Sequence, residues 1–161
     1  VGGDLCRPFY KRLNRANAKL FTRHGLKPEV PFEEIRTVYI PAEAVETILP
    51  RLQNGDFVNV IYEDGGINDC RHTGLIAIGA DGTANFLHST PPAVREQPLM
   101  EYAARQMERN REREAEGESL RWVGFRFLRL HDDPVANLIA IDGPDAPRLQ
   151  LPAAARLAPA P

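Results

Sequence analysis

Apolar positions along this chain change their spacing several times, and each change marks an element. Phe9, Leu13, Ala16 and Leu20 recur at four, three and four residues, the repeat of one helix face. Pro8 suits a first helical turn and Gly25 a stop, so a helix over 8–24 is expected. Pro28, Pro31 and Pro41 surround a short extended piece, Thr37-Val38-Tyr39-Ile40, and Ala42–Leu49 reads as a short helix. The turn Asn54-Gly55-Asp56 leads into a strand, Phe57–Tyr62, which Asp64-Gly65-Gly66 breaks. A hairpin over about 71–90 follows, ended by Pro91-Pro92. Leu99, Tyr102, Ala103 and Met107 mark a helix from about 98 that runs into the charged stretch Glu108–Glu118. Arg121–Leu130 is apolar on both faces, as a central strand would be, and Asn137–Ile141 adds a last strand. From Gly143 onward the Pro- and Ala-rich sequence has little to bury.

Strands clustered in mid-chain with helices around them indicate an α+β domain. The expected architecture is an antiparallel sheet of about five strands with the 8–24 helix packed on it. Residues 1–142 form the domain and 143–161 a tail.

The hairpin holds the most specific information, because each of its apolar runs carries a histidine, His72 and His88. Side chains alternate faces along a strand, so the loop between the runs decides whether the two imidazoles meet. A two-residue turn at Asp81-Gly82 would put them on opposite faces. A three-residue loop, Ala80-Asp81-Gly82 with Gly82 left-handed, pairs Gly79 with Thr83 and sets His88 opposite Gly74, diagonal to His72 on one face. The three-residue loop is the expected one. Gly74 beside the two rings would leave room for a substrate backbone.

Composition narrows the function classes. At 161 residues, 43% hydrophobic and 26% charged, the chain has the makeup of one globular domain with a real core. A net charge of −2 gives no reason to expect a nucleic-acid partner. No apolar run of about 18 residues is present to span a membrane, and no signal peptide is visible. The two cysteines, Cys6 and Cys70, are too few for a disulfide framework and form no CxxC zinc pair.

Cys6 is the candidate nucleophile. At the N-terminus of the 8–24 helix, next to Arg7, its thiolate would be favoured by the helix dipole and the cation. A histidine from the sheet would complete a hydrolase pair. Cys70, two residues before His72, would share its face at a fixed separation and reads as structural. His72 and His88 with Asp69 could instead form a two-histidine, one-carboxylate metal set. His24 and His131 have no partners in the pattern, and Glu108–Glu118 reads as a solvated face, with partner binding the alternative.

Three segments together resemble a known family: Leu52-Gln53-Asn54-Gly55-Asp56-Phe57-Val58-Asn59-Val60, Asn68-Asp69-Cys70-Arg71-His72-Thr73-Gly74-Leu75 and Phe86-Leu87-His88-Ser89-Thr90. They look like the core of papain-like NlpC-type cell-wall cysteine peptidases, most similar to the N-acetylmuramoyl-L-alanine amidase-like family. Tyr39-Ile40-Pro41 before the Gly-Asp turn, and Leu99 with Tyr102 after the third strand, also fit. The resemblance covers roughly 38–130 and implies a papain-like fold. It also implies His72 as general base and His88 as polar third member, with a cysteine opening an upstream helix. Cys6 stands in that place in the order of elements, but in the text Asp4-Leu5-Cys6-Arg7-Pro8 and not the family's Asp-Cys; the alternative is a nucleophile upstream of Val1. The implied activity is hydrolysis of a peptidoglycan amide, as an amidase or a stem-peptide endopeptidase, in the periplasm or outside the cell, with no cofactor. Two other readings remain open. One is a non-catalytic or truncated relative that binds cell-wall peptide or a protein partner. The other is a metal-dependent hydrolase using His72 and His88.

Overall fold

The computed structural model describes residues 1–13, 33–130 and 132–133. Within the compact unit Val1–Arg129 these residues form a seven-stranded antiparallel sheet. Its strands are β1 (Arg7–Leu13), β2 (Glu33–Pro41), β3 (Phe57–Asp64), β4 (Ile67–Ile78), β5 (Ala84–Thr90), β6 (Ala93–Pro98) and β7 (Arg121–Leu128). Their spatial order is β1-β2-β7-β3-β4-β5-β6. Among the described residues two α-helices accompany the sheet, the single turn α1 (Val45–Ile48) and the longer α2 (Leu99–Ala115).

This corrects the expected α+β, papain-like, five-stranded arrangement with an N-terminal helix. Arg7–Leu13, the first part of the expected 8–24 helix, is a strand paired residue for residue with Glu33–Tyr39. Residues 14–24 lie outside the described residues, as do the expected strand 137–141 and the tail 143–161. The local period of the apolar residues lost to a long-range pairing: β2 is rich in β-branched and aromatic residues, and Phe9 is buried edge-on to Tyr39, ring centroids 5.7 Å apart. The second unforeseen strand is β6. Pro91-Pro92 is the two-residue turn of a further hairpin, with Thr90 opposite Ala93 and His88 opposite Arg95.

One face of the sheet carries the core. Val58, Val60, Ile76, Phe86, Phe125 and Phe127 alternate inward along β3, β4, β5 and β7. Helix α2 closes over them with Leu99, Tyr102, Ala103 and Gln106, spaced at three, four and seven residues so that they form one stripe. Its C-terminus ends in a Schellman motif, with Glu118 N–H donating to Arg113 C=O and Gly117 N–H to Glu114 C=O. Val45 and Ile48 of α1 close the core beside Ile40.

Two polar clamps hold this packing in place. Asp56, 1% exposed, accepts from Gln53 N–H at 2.9 Å and from Arg129 through Nε and Nη2, both at 2.7 Å. The Gly-Asp turn that starts β3 is thereby tied to the end of β7. Asn110, within the stretch expected to be a solvated face, reaches inward: its Nδ2 donates to Trp122 C=O and its Oδ1 accepts from Trp122 N–H, both at 2.7 Å. It acts as a substitute strand partner for β7 beside the buried indole of Trp122.

Replacing Asn110 by Ala leaves two backbone groups of Trp122 without that partner, at a cost of about 1–3 kcal/mol. The measurement is the urea midpoint of unfolding. Arg111→Ala, one residue along on the exposed side, is expected to move it by less than about 0.5 kcal/mol.

Candidate functional site

The site begins with a turn. Gly79 N–H donates to Thr83 C=O and Gly82 N–H to Gly79 C=O, both at 2.9 Å, with Gly82 at φ +83°. This is the three-residue loop, and it fixes Ile78 opposite Ala84 and Leu75 opposite Leu87. Continued one step, the register sets Gly74 opposite His88. A Cβ built on Gly74 would lie 3.0 Å from the Cβ of His88, 2.5 Å from Phe86 Cε2 and 2.4 Å from Leu87 C=O. The space beside Gly74 is therefore filled by Phe86 and His88 and is not a gap for a substrate backbone.

His72 and His88 meet on the core face. His72 Nε2 lies 2.9 Å from His88 Nδ1, with the rings nearly perpendicular. His88, 6% exposed, stacks on Phe86 at 4.6 Å and meets Tyr102 edge-on at 5.5 Å. Its Nδ1 is also 3.1 Å from Thr90 Oγ1, and its Nε2 is 2.6 Å from the Gln97 amide of β6. His88 is thus held by five neighbours, whereas His72 Nδ1 makes no hydrogen bond among the described residues.

The two histidines open into a cavity of about 270 Å³, also lined by Tyr62, Thr90, Arg95, Gln97, Tyr102, Arg105, Gln106 and Arg109. Tyr62 donates its hydroxyl to Gln106 Oε1 at 2.7 Å. Burial pushes the Tyr102 phenol well above its ordinary range, against the pull of Arg109 and Arg105, so it remains a neutral donor. Burial also lowers both histidines. For His88 the positive charges of His72, Arg95 and Arg105 act in the same direction. At neutral pH the pair is uncharged, the form in which one imidazole can accept a proton.

The structure does not bring Cys6 to this pair. Cys6 follows the 3-10 turn Gly3–Leu5 and precedes a strand, so no helix N-terminus favours its thiolate. Its Sγ donates to Gly2 C=O at 3.2 Å, and burial raises the thiol above its ordinary value. The Cys6 side chain packs against the core cluster that includes Ile40 and Ile48. Cys6 does not line the cavity.

Cys70 is turned away by a bulge. Val60 faces His72, but Ile61 faces Cys70, so Arg71 is an extra residue on β4 and Cys70 lies on the face opposite to His72. Its Sγ donates to Asn59 Oδ1 and to His72 C=O, each at 3.3 Å. Asp69 accepts from Cys70 N–H and does not line the cavity. Among the described residues no group of three His, Cys, Asp or Glu is placed to hold a metal ion. His24 and His131 lie outside the described residues.

Sequence reasoning missed Gln97, Arg95, Arg105, Arg109, Tyr62 and Gln106. Thr90 was within reach, two residues after His88 and so on its face. Arg95 and Gln97 follow from the register once Pro91-Pro92 is read as a turn. No family model, curated protein or solved structure matches the chain.

Because the folded-state values of both histidines are depressed, the unfolded chain binds more protons below about pH 6.5. Their contribution to stability is complete above that value and is lost as pH falls through the folded pKa values. In an NMR titration both imidazoles are expected to titrate below 6.5, and His72→Gln should raise the His88 value by removing a neighbouring positive charge. Stability that stays flat between pH 7 and 5, or a His88 value unmoved in the variant, would contradict this account.

Proposed function

We propose that the His72–His88 pair is the base-and-orienter part of an amide-hydrolase site acting on peptidoglycan peptides. The observation that carries this reading is the 2.9 Å contact from His72 Nε2 to His88 Nδ1, with His88 itself held by Gln97 and Thr90. That chain leaves Nδ1 of His72 as the nitrogen that addresses the reacting group.

The polarity of the chain determines what His72 can do. When Gln97 donates its amide N–H to His88 Nε2, His88 carries its proton on Nδ1 and donates to His72 Nε2, which leaves the His72 proton on Nδ1. When the amide presents Oε1, the whole chain reverses: His88 Nε2–H donates to Gln97, and His72 Nε2–H donates to His88 Nδ1. In that state Nδ1 of His72 has a free lone pair and can act as a base. It takes the proton of a thiol as the sulfur attacks the amide carbonyl, and then gives it to the departing amine. In the second half of the cycle it activates the water that hydrolyses the thioester. The 161 residues hold two cysteines, and neither Cys6 nor Cys70 lines the cavity, so the thiol in this scheme is supplied from outside this sequence.

That same separation favours a second reading, in which the cavity binds cell-wall peptide without cleaving it. A single assay distinguishes the two. The protein, as its gene encodes it, is incubated with muropeptides, and new amino termini are followed by mass spectrometry, with bound peptide measured in parallel. Hydrolysis is expected to fall about 10²–10⁴-fold in His72→Ala and to be unchanged in Cys6→Ala and in the presence of a chelator. Binding without cleavage supports the second reading. Full activity in His72→Ala defeats the first, and loss of activity on chelation would require a metal-dependent site in its place.

A further inference from the structure

The cavity wall facing the histidines is unusually basic. Arg95 sits directly across from His88 on β6, and Arg105 and Arg109 are one turn apart on α2, on the ridge beside Tyr102 and Gln106. No acidic side chain lines the cavity. Among the described residues none of the three guanidinium groups is in an ion pair, whereas Arg51, Arg71, Arg121 and Arg129 each hold a carboxylate. The lack of partners is not for want of acids nearby. Glu101, Glu108 and Glu112 stand within one helical turn of Arg105 or Arg109, yet Glu108 pairs with Arg111 instead.

Three cations around one small cavity repel one another, and the neutral imidazoles beside them supply no counter-charge. An anion seated among them relieves that repulsion, and the planar guanidinium fork matches a carboxylate in two-point geometry. The remaining wall fits a peptide ligand: Tyr102 is a neutral hydroxyl donor and Gln97 an amide, while the rings of Tyr62 and Tyr102 supply apolar surface. At about 270 Å³ the cavity is small for a ligand site, which favours a short segment bearing one charged group over a bulky ligand.

We propose that Arg95, Arg105 and Arg109 form an anion-recognition subsite that takes a carboxylate on the substrate next to the amide addressed by His72. The preferred ligand is then an acidic peptide. This rests on the hydrolase reading for the identity of the neighbouring bond, but the subsite itself is read by binding alone.

The test compares the C-terminal amides of N-acetyl-alanyl-glutamate and N-acetyl-alanyl-glutamine, which differ in charge at the side-chain carboxylate alone, by calorimetry and by shifts of the His72 and His88 imidazole resonances. The carboxylate peptide is expected to bind about tenfold or more tightly, with a preference that shrinks as salt is raised. Arg105→Gln with Arg109→Gln should abolish the preference and leave the amide peptide unchanged, as should Arg95→Gln in part. Arg111→Gln, outside the cavity, should leave the preference intact. All four positions are exposed, and an unchanged thermal melt verifies that each variant is folded. Equal affinity for the two peptides, or a preference that survives the double substitution, overturns the proposal. Inorganic phosphate that binds the three arginines more tightly than the carboxylate peptide also overturns it, in favour of a phosphate ligand. Carboxylate preference without cleavage upholds the subsite and defeats the hydrolase reading, and cleavage without the preference does the opposite.

Discussion

A single backbone decision in the loop Ala80–Gly82 determines which side of the sheet carries His88. With three residues in the loop, Gly82 takes the left-handed conformation, Gly79 closes onto Thr83, and every later residue of β5 has its face assigned. One residue fewer would send His88 to the reverse side and bring Leu87 into the core, where no cavity exists for it. The contact between the imidazoles, the stacking of His88 on Phe86 and the pairing of β6 beyond them all follow from this register. Gly74 enforces it from the other strand, because any larger residue would meet Phe86 and the backbone of Leu87.

The site that results is electrostatically one-sided. Two imidazoles, kept neutral by burial, lie beside three guanidinium groups that have no counter-charge among the described residues. Aromatic rings supply most of the rigidity: Phe86 touches both histidines and Tyr102, and Tyr102 also meets Phe125. The polar chain is therefore set on a packed platform. Among the described residues Nδ1 of His72 is the ring nitrogen of the pair without a hydrogen-bond partner.

What was legible in the sequence was whatever short-range chemistry decides. The loop glycine, the alternation of the hairpin runs and the helix marked by Leu99, Tyr102, Ala103 and Met107 state their own geometry, and the structure has these elements, with Met107 exposed and Gln106 buried in its place. The Gly-Asp turn was legible as a turn, but the pairing of Asp56 with Arg129 was not, because 73 residues separate the two. Arg7–Leu13 misled for a related reason. Its apolar spacing suits a helix, and only the presence of Glu33–Tyr39 as a partner makes it a strand. The expected chemistry of Cys6 rested on that helix and does not survive its loss. Cys70 was read as structural on the premise of a regular strand; the bulge at Arg71 puts it on the reverse face instead. A bulge of one residue leaves no mark in a pattern of apolar positions.

The link between Asp56 and Arg129 also sets where this unit can be cut. Among the described residues the last strand ends at Leu128, and by that sheet alone the unit could stop there. Yet the nearly inaccessible carboxylate of Asp56 takes two of its hydrogen bonds from the next residue, whose Nη2 also reaches Arg51 C=O at 2.8 Å. A version ending at Leu128 would keep all seven described strands and strip the cation from a carboxylate in the turn that launches the central strand β3. The described unit is thus closed by an ion pair, one residue beyond its last described strand.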